Sequence, residues 1–320
     1  MRAICLTKYG SIENFAIADL PTPEPRRGQI RVRVHASAVG PADFKVATGL
    51  VKFLHGRRFP MVLGYDFSGV VDAVGYGQTR WKIGDPVFGF LPYSPGNNQG
   101  AFAEFLVTPE NQVARKPSFV SHEQAAASAT AAVTALQGIR DQGKLPAVNA
   151  HVLITGVSGA VGSAGILVAK KLGAKVTAVG SQRGLELAKR LGADVLVDRK
   201  GGDIVAKTSS SYDVVFDAAA AYRWSLWKAR LKAGGAFVTT LPSIAFAADK
   251  LASSFSSSSS KSFIVKAREK DLELLAKWLG EGFEVPIDST LPVREVAKGM
   301  LRYQGGNFLG RIVVDVENGF

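Results

Sequence analysis

The sequence predicts an α/β protein in which a β-rich N-terminal part precedes a doubly wound, mainly parallel sheet. Two patterns carry this prediction. Up to about residue 120, short strand-like segments recur at roughly ten-residue spacing between Gly and Pro residues. From His151 onward, apolar runs alternate with helical stretches. That alternation is typical of right-handed βαβ crossovers and of a parallel sheet covered on both faces.

Length and composition favour a globular protein of two domains. The chain has 320 residues, of which 47% are hydrophobic and 21% charged. Its first residues lack the apolar core of a secretory signal, and no apolar run approaches the ~20 residues that cross a bilayer. The single cysteine, Cys5, cannot form an internal disulfide, and its alternating surroundings predict a buried strand residue. We therefore expect a soluble cytoplasmic protein with no membrane association.

The formal net charge is +12. Its basic residues are dispersed in pairs, such as those at 26–27 and 170–171, and form no basic tract. No RNA-recognition or helix-turn-helix signature accompanies them. The pattern disfavours a nucleic-acid partner and favours a solvated surface that attracts anionic cofactors.

Several elements of the first 140 residues can be placed individually. The segment GQIRVRVHASAV, residues 28–39, alternates apolar and polar side chains, which predicts a half-buried strand whose His35 faces solvent. Further strands are predicted at FSGVVDAVG, DPVFGF and GAFAEFLVT. The Ala-rich segment SHEQAAASATAAVTALQGI predicts a helix with Ser121 as its N-cap and Gln124 completing a capping box.

The remainder of the chain gives the alternating pattern. Strands are predicted at HVLIT, KVTAV, DVLV, YDVVFDA and GAFVTT, with helices at about 160–172 and 184–191. The serine-rich LASSFSSSSSKSF predicts a polar helix or loop that leads into a strand at SFIVKA. EKDLELLAKWLGEG predicts an amphipathic helix. The tail GNFLGRIVVDV predicts a strand that rejoins the first domain.

The segment VLITGVSGAVGSAG places three glycines directly after a strand and at the start of a helix. A turn without Cβ atoms lets a pyrophosphate approach the backbone, and the helix N-terminus adds N–H groups and a positive dipole end. The spacing G-x-x-G-x-x-G implies a wider first turn than G-x-G-x-x-G. The alternative is close packing of helix on sheet without a ligand. The predicted pyrophosphate residues are Gly156, Ser158, Gly159, Ala160 and Val161.

The next strand ends where a dinucleotide-binding fold commonly carries an acidic residue for the ribose 2′-hydroxyl. Here the sequence has Gly180, followed by Ser181 and Arg183. Both side chains can donate hydrogen bonds to a 2′-phosphate, and Arg199, after the third strand, could add charge or stack on adenine. The sequence therefore predicts NADPH rather than NADH, the alternative being that Arg183 is an ordinary solvated arginine.

No metal site is predicted, because the single cysteine and the four histidines show no ligand spacing. His55 and His122 are interpreted as solvated or helix-capping residues. A Y-x-x-x-K dehydrogenase site is also absent from the sequence. These two absences disfavour two common routes to alcohol oxidation.

Over nearly its whole length, the chain resembles the zinc-independent, zeta-crystallin-like quinone oxidoreductases of the medium-chain dehydrogenase/reductase superfamily. The matching stretches are GPADFKVATGL, FPMVLGYDFSGVVDAVG, WKIGDPVFGF, GAFAEFLV, AAASATAAVTALQGI, VLITGVSGAVG, LKAGGAFVTT and GRIVV. The resemblance implies a GroES-like β-rich catalytic domain from residues 1–120 and 268–320 and a Rossmann domain from residues 121–267. It also implies NADPH in the cleft between them and a homodimer.

The resemblance further assigns individual positions. Thr134 matches a residue that packs near the nicotinamide, and further matches follow the fourth and fifth strands or lie in the tail. Each could equally be a packing residue. These further cofactor-binding positions are Ala218, Ala219, Leu241, Pro242, Phe308, Leu309 and Gly310.

One departure from the family concerns the motif N-P-x-D, because this chain has Gly40 before its proline. The loss of an active-site amide gives Lys45 more importance, since its ammonium could bind a developing oxyanion and protonate it. The alternative is a surface lysine paired with Asp43. Tyr65 and Tyr93 border the substrate, or else pack in the core or at a hinge.

Together these features predict an enzyme that transfers hydride from NADPH to a quinone or an α,β-unsaturated carbonyl compound without zinc. The alternative is a non-catalytic NADPH-binding redox sensor or nucleic-acid-associated regulator. The missing asparagine and the charge of +12 leave that alternative open.

Overall fold

The fold was obtained as a computed structural model that describes residues 1–52, 58–77, 79–92, 99–208, 211–241 and 244–320, with no side-chain description at 244–245. His55, Tyr93 and Pro242 lie outside the described residues. The chain divides into two compact units. Unit 1 comprises Met1–Thr130 and Ala267–Phe320, and unit 2 comprises Ala131–Lys266.

Unit 1 is rich in antiparallel strands. Within the described residues it has a three-stranded sheet of order β2-β1-β4 and a seven-stranded sheet of order β15-β16-β3-β5-β6-β8, in which β7 also pairs with β3. The strands are β1 (Arg2–Leu6), β2 (Phe15–Asp19), β3 (Gln29–Val39), β4 (Met61–Val62), β5 (Asp66–Val74), β6 (Pro86–Phe90), β7 (Phe105–Pro109), β8 (Val113–Arg115), β15 (Ile287–Pro292) and β16 (Arg311–Asp315).

The predicted return of the tail to the first domain is confirmed, because β16 pairs antiparallel with β3. The amphipathic helix predicted in EKDLELLAKWLGEG is confirmed as Glu269–Gly280, and the described part of the unit has two further helices. The three helices span Pro41–Ala47, Glu269–Gly280 and Val296–Gln304, with 3₁₀ turns at Ile12–Asn14, Glu110–Gln112 and Val293–Glu295.

The Ala-rich helix His122–Leu136 runs across the boundary between the two units and continues as a π-helix, Gln137–Gln142. Ser121 caps it as predicted, since its Oγ accepts the Gln124 N–H at 3.1 Å. The reciprocal half of the capping box is replaced by a different contact. The Gln124 side chain donates to the Val285 carbonyl at 3.3 Å instead.

Strand β3 buries its apolar face as the alternation predicts, but the expectation that His35 faces solvent is wrong. Only 14% of the His35 side chain is exposed. The register of β3 against β5 shifts between Val34 and Ala36, which breaks the simple alternation at this point. In addition, the chain end covers this position, because the Val316 N–H donates to the His35 carbonyl at 2.9 Å.

Unit 2 contains a parallel sheet of six strands among the described residues, in the order β11-β10-β9-β12-β13-β14. The strands are β9 (His151–Thr155), β10 (Lys175–Gly180), β11 (Val195–Asp198), β12 (Tyr212–Asp217), β13 (Leu231–Thr239) and β14 (Ser259–Ser262). The chain proceeds from β9 to one side and then from β12 to the other. This order confirms the doubly wound prediction and places the switch point at the carboxyl ends of β9 and β12.

The helices of unit 2 connect these strands. They span Ala160–Lys171, Gln182–Arg190, Trp224–Trp227 and Ile244–Ser253, with a 3₁₀ turn at Lys228–Arg230. The strand predicted at SFIVKA is wrong, since β14 is the preceding serine-rich segment. Parallel backbone pairing of Ala236 with Ser259 sets this edge strand, and Ile264 stays 66% exposed. An edge strand needs only one paired neighbour, so it can form without an apolar pattern.

Two expectations from composition concern Cys5 and membrane spans. Cys5 lies in β1 with 1% exposure, as predicted for a buried strand residue. Burial raises the pKa of its thiol, so Cys5 is a packing residue rather than a nucleophile. Across the ranges described above, no helix combines the length and apolarity required to cross a bilayer.

Candidate functional site

The glycine-rich turn between β9 and the following helix is built on close backbone contacts. Gly156 has φ +67°, a conformation that favours glycine, and a Cβ there would lie 2.9 Å from the Ala219 Cβ. A Cβ on Gly162 would lie 2.2 Å from the Gly156 carbonyl oxygen. The Gly159 N–H donates to that same carbonyl at 3.0 Å. The turn is therefore closed by its own backbone and by the loop after β12.

The same turn leaves room for an anionic group. Gly159 is the N-cap of the helix Ala160–Lys171 and has no side chain with which to cap the first turn. A Cβ on Gly159 would meet one heavy atom within 4 Å, the Gly156 carbonyl oxygen at 3.6 Å. Because the first N–H groups of a helix lack intrahelical partners, this cradle suits a diphosphate. The residues of the turn therefore fit a dinucleotide cofactor.

The end of β10 packs directly against the turn. A Cβ on Gly180 would lie 2.7 Å from Val157 Cγ2, and one on Gly184 would lie 3.1 Å from the Ser158 Cβ. The helix Gln182–Arg190 can therefore reach the turn only through glycines. Ser158 is thereby held beside the first residues of this helix.

The three residues predicted to bind a 2′-phosphate cluster around Gly180. Ser181 is the N-cap of the helix Gln182–Arg190, and its hydroxyl makes no capping hydrogen bond. Arg183 lies in the first turn of this helix and is exposed. Arg199 is also exposed, and its backbone N–H donates to the Gly180 carbonyl at 2.9 Å. The structure thus brings these residues to one edge of the sheet.

A carboxylate that the sequence analysis did not weigh lies beside this group. Asp198, the last residue of β11, is the register partner of Gly180. Its Oδ1 accepts the Lys200 N–H at 2.8 Å, and the Lys207 ammonium donates to its carbonyl at 3.1 Å. Asp198 therefore closes its own turn and is surrounded by basic residues.

Charge is unevenly divided between the two units. Residues 131–266 contain 18 Lys and Arg but 8 Asp and Glu, so unit 2 carries +10 of the formal net charge of +12. A positive unit attracts an anionic dinucleotide from solution and raises its association rate. The excess of basic residues noted in the whole chain is thus concentrated in the unit with the glycine turn.

Asp217, at the carboxyl end of β12, was missed by the sequence analysis. It has 0% exposure and accepts the Thr155 hydroxyl at 2.5 Å and the Tyr222 N–H at 2.9 Å. Burial raises the pKa of this carboxyl, and the hydrogen bonds that it accepts lower the pKa by a smaller amount. Ala218 and Ala219 directly follow it, and Ala219 contacts Gly156 as described above. A charged residue that ends the apolar run YDVVF was the available signal.

Thr134 and Leu241 occupy different settings in unit 2. Thr134 is almost fully buried, at 6% exposure, within the helix His122–Leu136. Leu241 is 45% exposed and follows the end of β13. Their assignment to the nicotinamide end of the cofactor stays a prediction.

In unit 1, Asp43 fixes the start of the helix Pro41–Ala47. Its Oδ2 accepts the Gly40 N–H at 2.8 Å, and its Oδ1 accepts the Gly64 N–H at 2.8 Å. The residue is 1% exposed, and burial raises the pKa of its carboxyl to about 6. Asp43 therefore binds backbone amides and joins this helix to the segment that leads into Tyr65.

Lys45 lies on the same short helix and is half-buried. The alternative of a surface lysine paired with Asp43 is wrong, because both oxygens of that carboxylate bind amides and Lys45 forms no ion pair within the described residues. Burial lowers the pKa of the Lys45 ammonium. An ammonium with a lowered pKa is a better proton donor near neutral pH.

Arg311 occupies the space beside Gly40. A Cβ on Gly40 would lie 3.5 Å from Arg311 Nη1, and Arg311 donates through Nη2 to Asp66 Oδ2. Asp66 also accepts the Thr130 N–H at 2.7 Å. Arg311 is 4% exposed, and burial lowers its pKa to about 10. This buried ion pair was not predicted from the sequence, in which the charges in GYDFSG and GRIVV were the available signal.

Tyr303 of unit 1 packs between an aromatic residue of the helix Pro41–Ala47 and one in the tail. The Tyr303 ring lies 6.2 Å from the ring of Phe44, which precedes Lys45, and 5.3 Å from that of Phe308. Burial, with the Asp43 charge, raises the pKa of Tyr303 to about 12. Tyr303 thereby links Phe308 to the helix Pro41–Ala47 within unit 1.

Tyr65 and the remaining tail residues complete this unit. Tyr65 is 8% exposed, and burial together with the Asp43 charge raises the pKa of its hydroxyl, which therefore stays neutral. Leu309 donates its N–H to Asp288 Oδ1 at 3.0 Å. Gly310 has φ +87°, and a Cβ there would lie 2.1 Å from the Pro286 carbonyl oxygen. Their catalytic or cofactor roles stay predictions.

The interpretation of His122 as solvated or helix-capping is wrong. Its ring packs against that of His35 at 4.3 Å, and its Nδ1 lies 2.8 Å from Ser68 Oγ. Burial, with the charges of His35 and Lys116, lowers the pKa of His122 to about 3. Within the described ranges, no group of three or more His, Cys, Asp or Glu side chains could hold a metal ion.

Comparison with known proteins adds an independent line of observation. The protein-family model of the alcohol dehydrogenase GroES-like domain matches residues 26–118 of the sequence. The family model of zinc-binding dehydrogenases matches residues 191–314. The chain is 28% identical to the chloroplastic quinone-oxidoreductase homolog of Spinacia oleracea, with 98% of each chain covered. It is 31% identical to the mitochondrial NAD(P)H oxidoreductase RTN4IP1 of Bos taurus, over 99% of this chain and 89% of the relative. The solved structure of the quinone oxidoreductase from Coxiella burnetii superimposes with a TM-score of 0.87 at 27% identity, covering 99% of each chain.

Proposed function

Because the chain belongs to the quinone oxidoreductases of the medium-chain dehydrogenase/reductase superfamily, we propose that it reduces quinones or α,β-unsaturated carbonyl compounds with NADPH and without zinc. Membership of this family makes the chain a pyridine-nucleotide-dependent oxidoreductase. The choice of NADPH, the class of acceptor and the independence from zinc are the proposal.

The glycine turn and its surroundings would hold the cofactor, which supplies the hydride when it is bound. The first N–H groups of the helix that begins at Ala160 would bind the pyrophosphate, since Gly159 leaves the cradle open. Arg183, Arg199 and the Ser181 hydroxyl would bind the 2′-phosphate through charge-assisted hydrogen bonds. The surplus of basic residues in unit 2 supports a ligand with this many phosphate charges.

Lys45 is the proposed proton donor. Reduction of a quinone or an enone places negative charge on the acceptor oxygen, and a nearby cationic N–H donor stabilises that charge. The half-buried ammonium, with its lowered pKa, can then transfer a proton to the oxygen or to a carbon of the enolate. Tyr65 stays neutral and would orient the acceptor by its hydroxyl. Because the amide of N-P-x-D is absent, Lys45 is the principal polar group that this helix offers to a substrate.

Zinc independence rests on the types of residue in the chain. One cysteine and four histidines cannot supply the usual ligand sets with their usual spacing. The oxyanion would therefore be stabilised by hydrogen bonds and by the Lys45 charge.

We further propose a cytoplasmic homodimer that has no nucleic-acid partner. The strand β14 lies at one end of the six-stranded order, and the exposed side chains of Phe255 and Ile264 flank it. A second copy that covered this edge would pair its backbone and bury these apolar groups. Sedimentation of the purified protein tests the dimer directly.

The cytoplasmic location is a separate proposal, because the relatives from Spinacia oleracea and Bos taurus carry the words chloroplastic and mitochondrial in their names.

The observation that carries the proposal is the cradle formed by Gly156, Gly159 and the loop at Ala219. Its test is a steady-state assay that follows the oxidation of NADPH with a panel of quinones, enones and enals. We expect turnover of at least one acceptor class, with no loss of rate after dialysis against a zinc chelator. Tight NADPH binding without turnover of any acceptor would refute the enzymatic proposal in favour of a binding protein.

A further inference from the structure

Strand β12 carries an aspartate near each end, and both bond to the neighbouring strand β9. Near the amino end, Asp213 Oδ2 accepts the His151 N–H at 2.8 Å and the Lys232 ammonium at 2.8 Å. At the carboxyl end, Asp217 accepts the Thr155 hydroxyl. The two carboxylates therefore make comparable cross-strand bonds in opposite halves of the sheet. Only the second of them lies at the edge that carries the glycine turn.

Asp217 joins the two segments that form the cradle. Its Oδ1 accepts the hydroxyl of Thr155, which immediately precedes Gly156, at 2.5 Å. Its Oδ2 accepts the Tyr222 N–H at 2.9 Å, at the far end of the loop after β12. Between these two anchors, Ala219 contacts Gly156. One carboxylate thus fixes both the start of the glycine turn and the loop against which that turn packs.

The loop needs such an anchor because its backbone is strained. Ala220 has φ +51°, in the left-handed region that L side chains rarely adopt. Its N–H donates to the Asp217 carbonyl at 3.3 Å, a long hydrogen bond that holds this conformation only weakly. The bond from the Tyr222 N–H to the Asp217 carboxylate therefore contributes strongly to the shape of the loop.

The negative charge of Asp217 does not itself favour the binding of an anionic cofactor. A carboxylate with 0% exposure repels an anionic ligand through a medium of low dielectric constant. Its burial also costs free energy unless hydrogen bonds satisfy it. A carboxylate at this edge therefore favours cofactor binding only through the geometry that it imposes.

We propose that Asp217 is a positioning residue for dinucleotide binding, which holds the loop 218–222 against the glycine turn so that the cradle keeps the width a diphosphate requires. The inference rests on the proposed function, since it concerns the same cofactor. It predicts that Asp217 and Thr155 act as a pair. Loss of either partner should widen the cradle even though neither is proposed to touch the ligand.

The test measures NADPH binding and thermal unfolding for variants of the full chain. Asp217→Asn has one acceptor oxygen in place of two, so it cannot accept both the Thr155 hydroxyl and the Tyr222 N–H. Thr155→Val removes the hydroxyl while keeping the shape. We expect the Kd for NADPH to rise about tenfold in each, as for loss of a hydrogen bond to a charged group. Thr155→Ser, which keeps the hydroxyl, should restore the wild-type Kd. Asp213→Asn is the matched control and should lower the melting temperature while changing the Kd by less than about twofold.

Other outcomes separate the possible failures. Equal or tighter NADPH binding by Asp217→Asn would overturn the inference, because relief of charge repulsion would then dominate. An equal loss of affinity in Asp213→Asn would also overturn it, since the effect would reflect general stability of the sheet. If Asp217→Asn does not fold, the pair Thr155→Val and Thr155→Ser decides the question alone. Failure of the wild-type chain to bind NADPH would refute the proposed function itself.

Discussion

Gly156 and Ala219 approach so closely that a Cβ on residue 156 would lie 2.9 Å from the Ala219 Cβ. This contact joins the turn after β9 to the loop after β12. The strands β9 and β12 are neighbours in the parallel sheet. Ligands of open α/β sheets bind outside the carboxyl ends of the strands where the order reverses. The contact therefore marks the wall of the proposed cofactor site.

Two glycine substitutions should separate folding from cofactor binding. Gly159→Ala should retain the melting temperature, because φ is −87° there and the new Cβ meets only an ordinary contact at 3.6 Å. It should nevertheless weaken NADPH binding about tenfold or more, since the methyl group enters the cradle. Gly156→Ala should lose both properties, with a destabilisation of about 1–3 kcal/mol from the left-handed backbone. Calorimetric titration and thermal unfolding check the pair, and unchanged NADPH binding by Gly159→Ala would contradict the cradle.

Arg183→Ala should lower kcat/KM for NADPH by about tenfold to a hundredfold, the range for loss of a hydrogen bond between charged groups. The value for NADH, which lacks the 2′-phosphate, should stay within about twofold of that of the wild type. Arg190→Ala is the control, because Arg190 is exposed on the same helix at its opposite end. Equal losses with both cofactors would show that Arg183 does not read the phosphate.

Lys45→Met should lower kcat about a hundredfold while leaving the Kd for NADPH unchanged, as expected for loss of a general acid. The lowered pKa of Lys45 adds a pH signature. In the wild type, the rate should fall as pH rises through the pKa of the ammonium, and this alkaline limb should be missing in the variant. Lys52→Met is the control, since Lys52 is an exposed lysine that lies shortly after the end of the helix Pro41–Ala47. A wild-type rate in Lys45→Met would remove the residue from the mechanism.

His122 should make the protein sensitive to mild acid. Its pKa of about 3 in the folded state lies below the ordinary value of 6.5, chiefly through burial. The unfolded chain therefore binds a proton that the folded chain does not, so stability falls as pH decreases from about 6.5 towards 3. The positive charges of His35 and Lys116 oppose protonation of His122. The carboxylate of Glu317 forms its ion pair with His35, not with His122.

The variant His122→Asn can keep a hydrogen bond to Ser68 without titrating. Between pH 7 and about 5, the free energy of unfolding of the wild type should fall by about 1–2 kcal/mol more than that of the variant. Urea unfolding at several pH values measures this difference. Parallel pH profiles for the two proteins would contradict the assignment.

Features that depend on local pattern could be predicted from the sequence. The glycine turn and the alternation of β3 were recognisable because spacing and periodicity carry them directly. Ser121 was recognisable as a cap for the same reason. The approximate ends of strands β9 to β12 could be predicted from the apolar runs in the sequence. The α/β class therefore did not require knowledge of long-range contacts.

Features that depend on distant contacts were missed. Arg311 and Asp66 form a buried pair although 245 positions separate them in the chain. The burial of His35 follows from a shift in strand register and from cover by the chain end, neither of which has a local signal. Asp217 was missed because its importance comes from Thr155, which lies on a different strand.

The most direct measurement of the central claim is a calorimetric titration of the wild-type chain with NADPH and, separately, with NADH. The cradle between Gly156 and Ala219, with Ser181, Arg183 and Arg199 beside it, predicts that NADPH binds at a single site with a Kd at least about tenfold lower than that of NADH. Equal affinities for the two dinucleotides, or no binding of either, would contradict it.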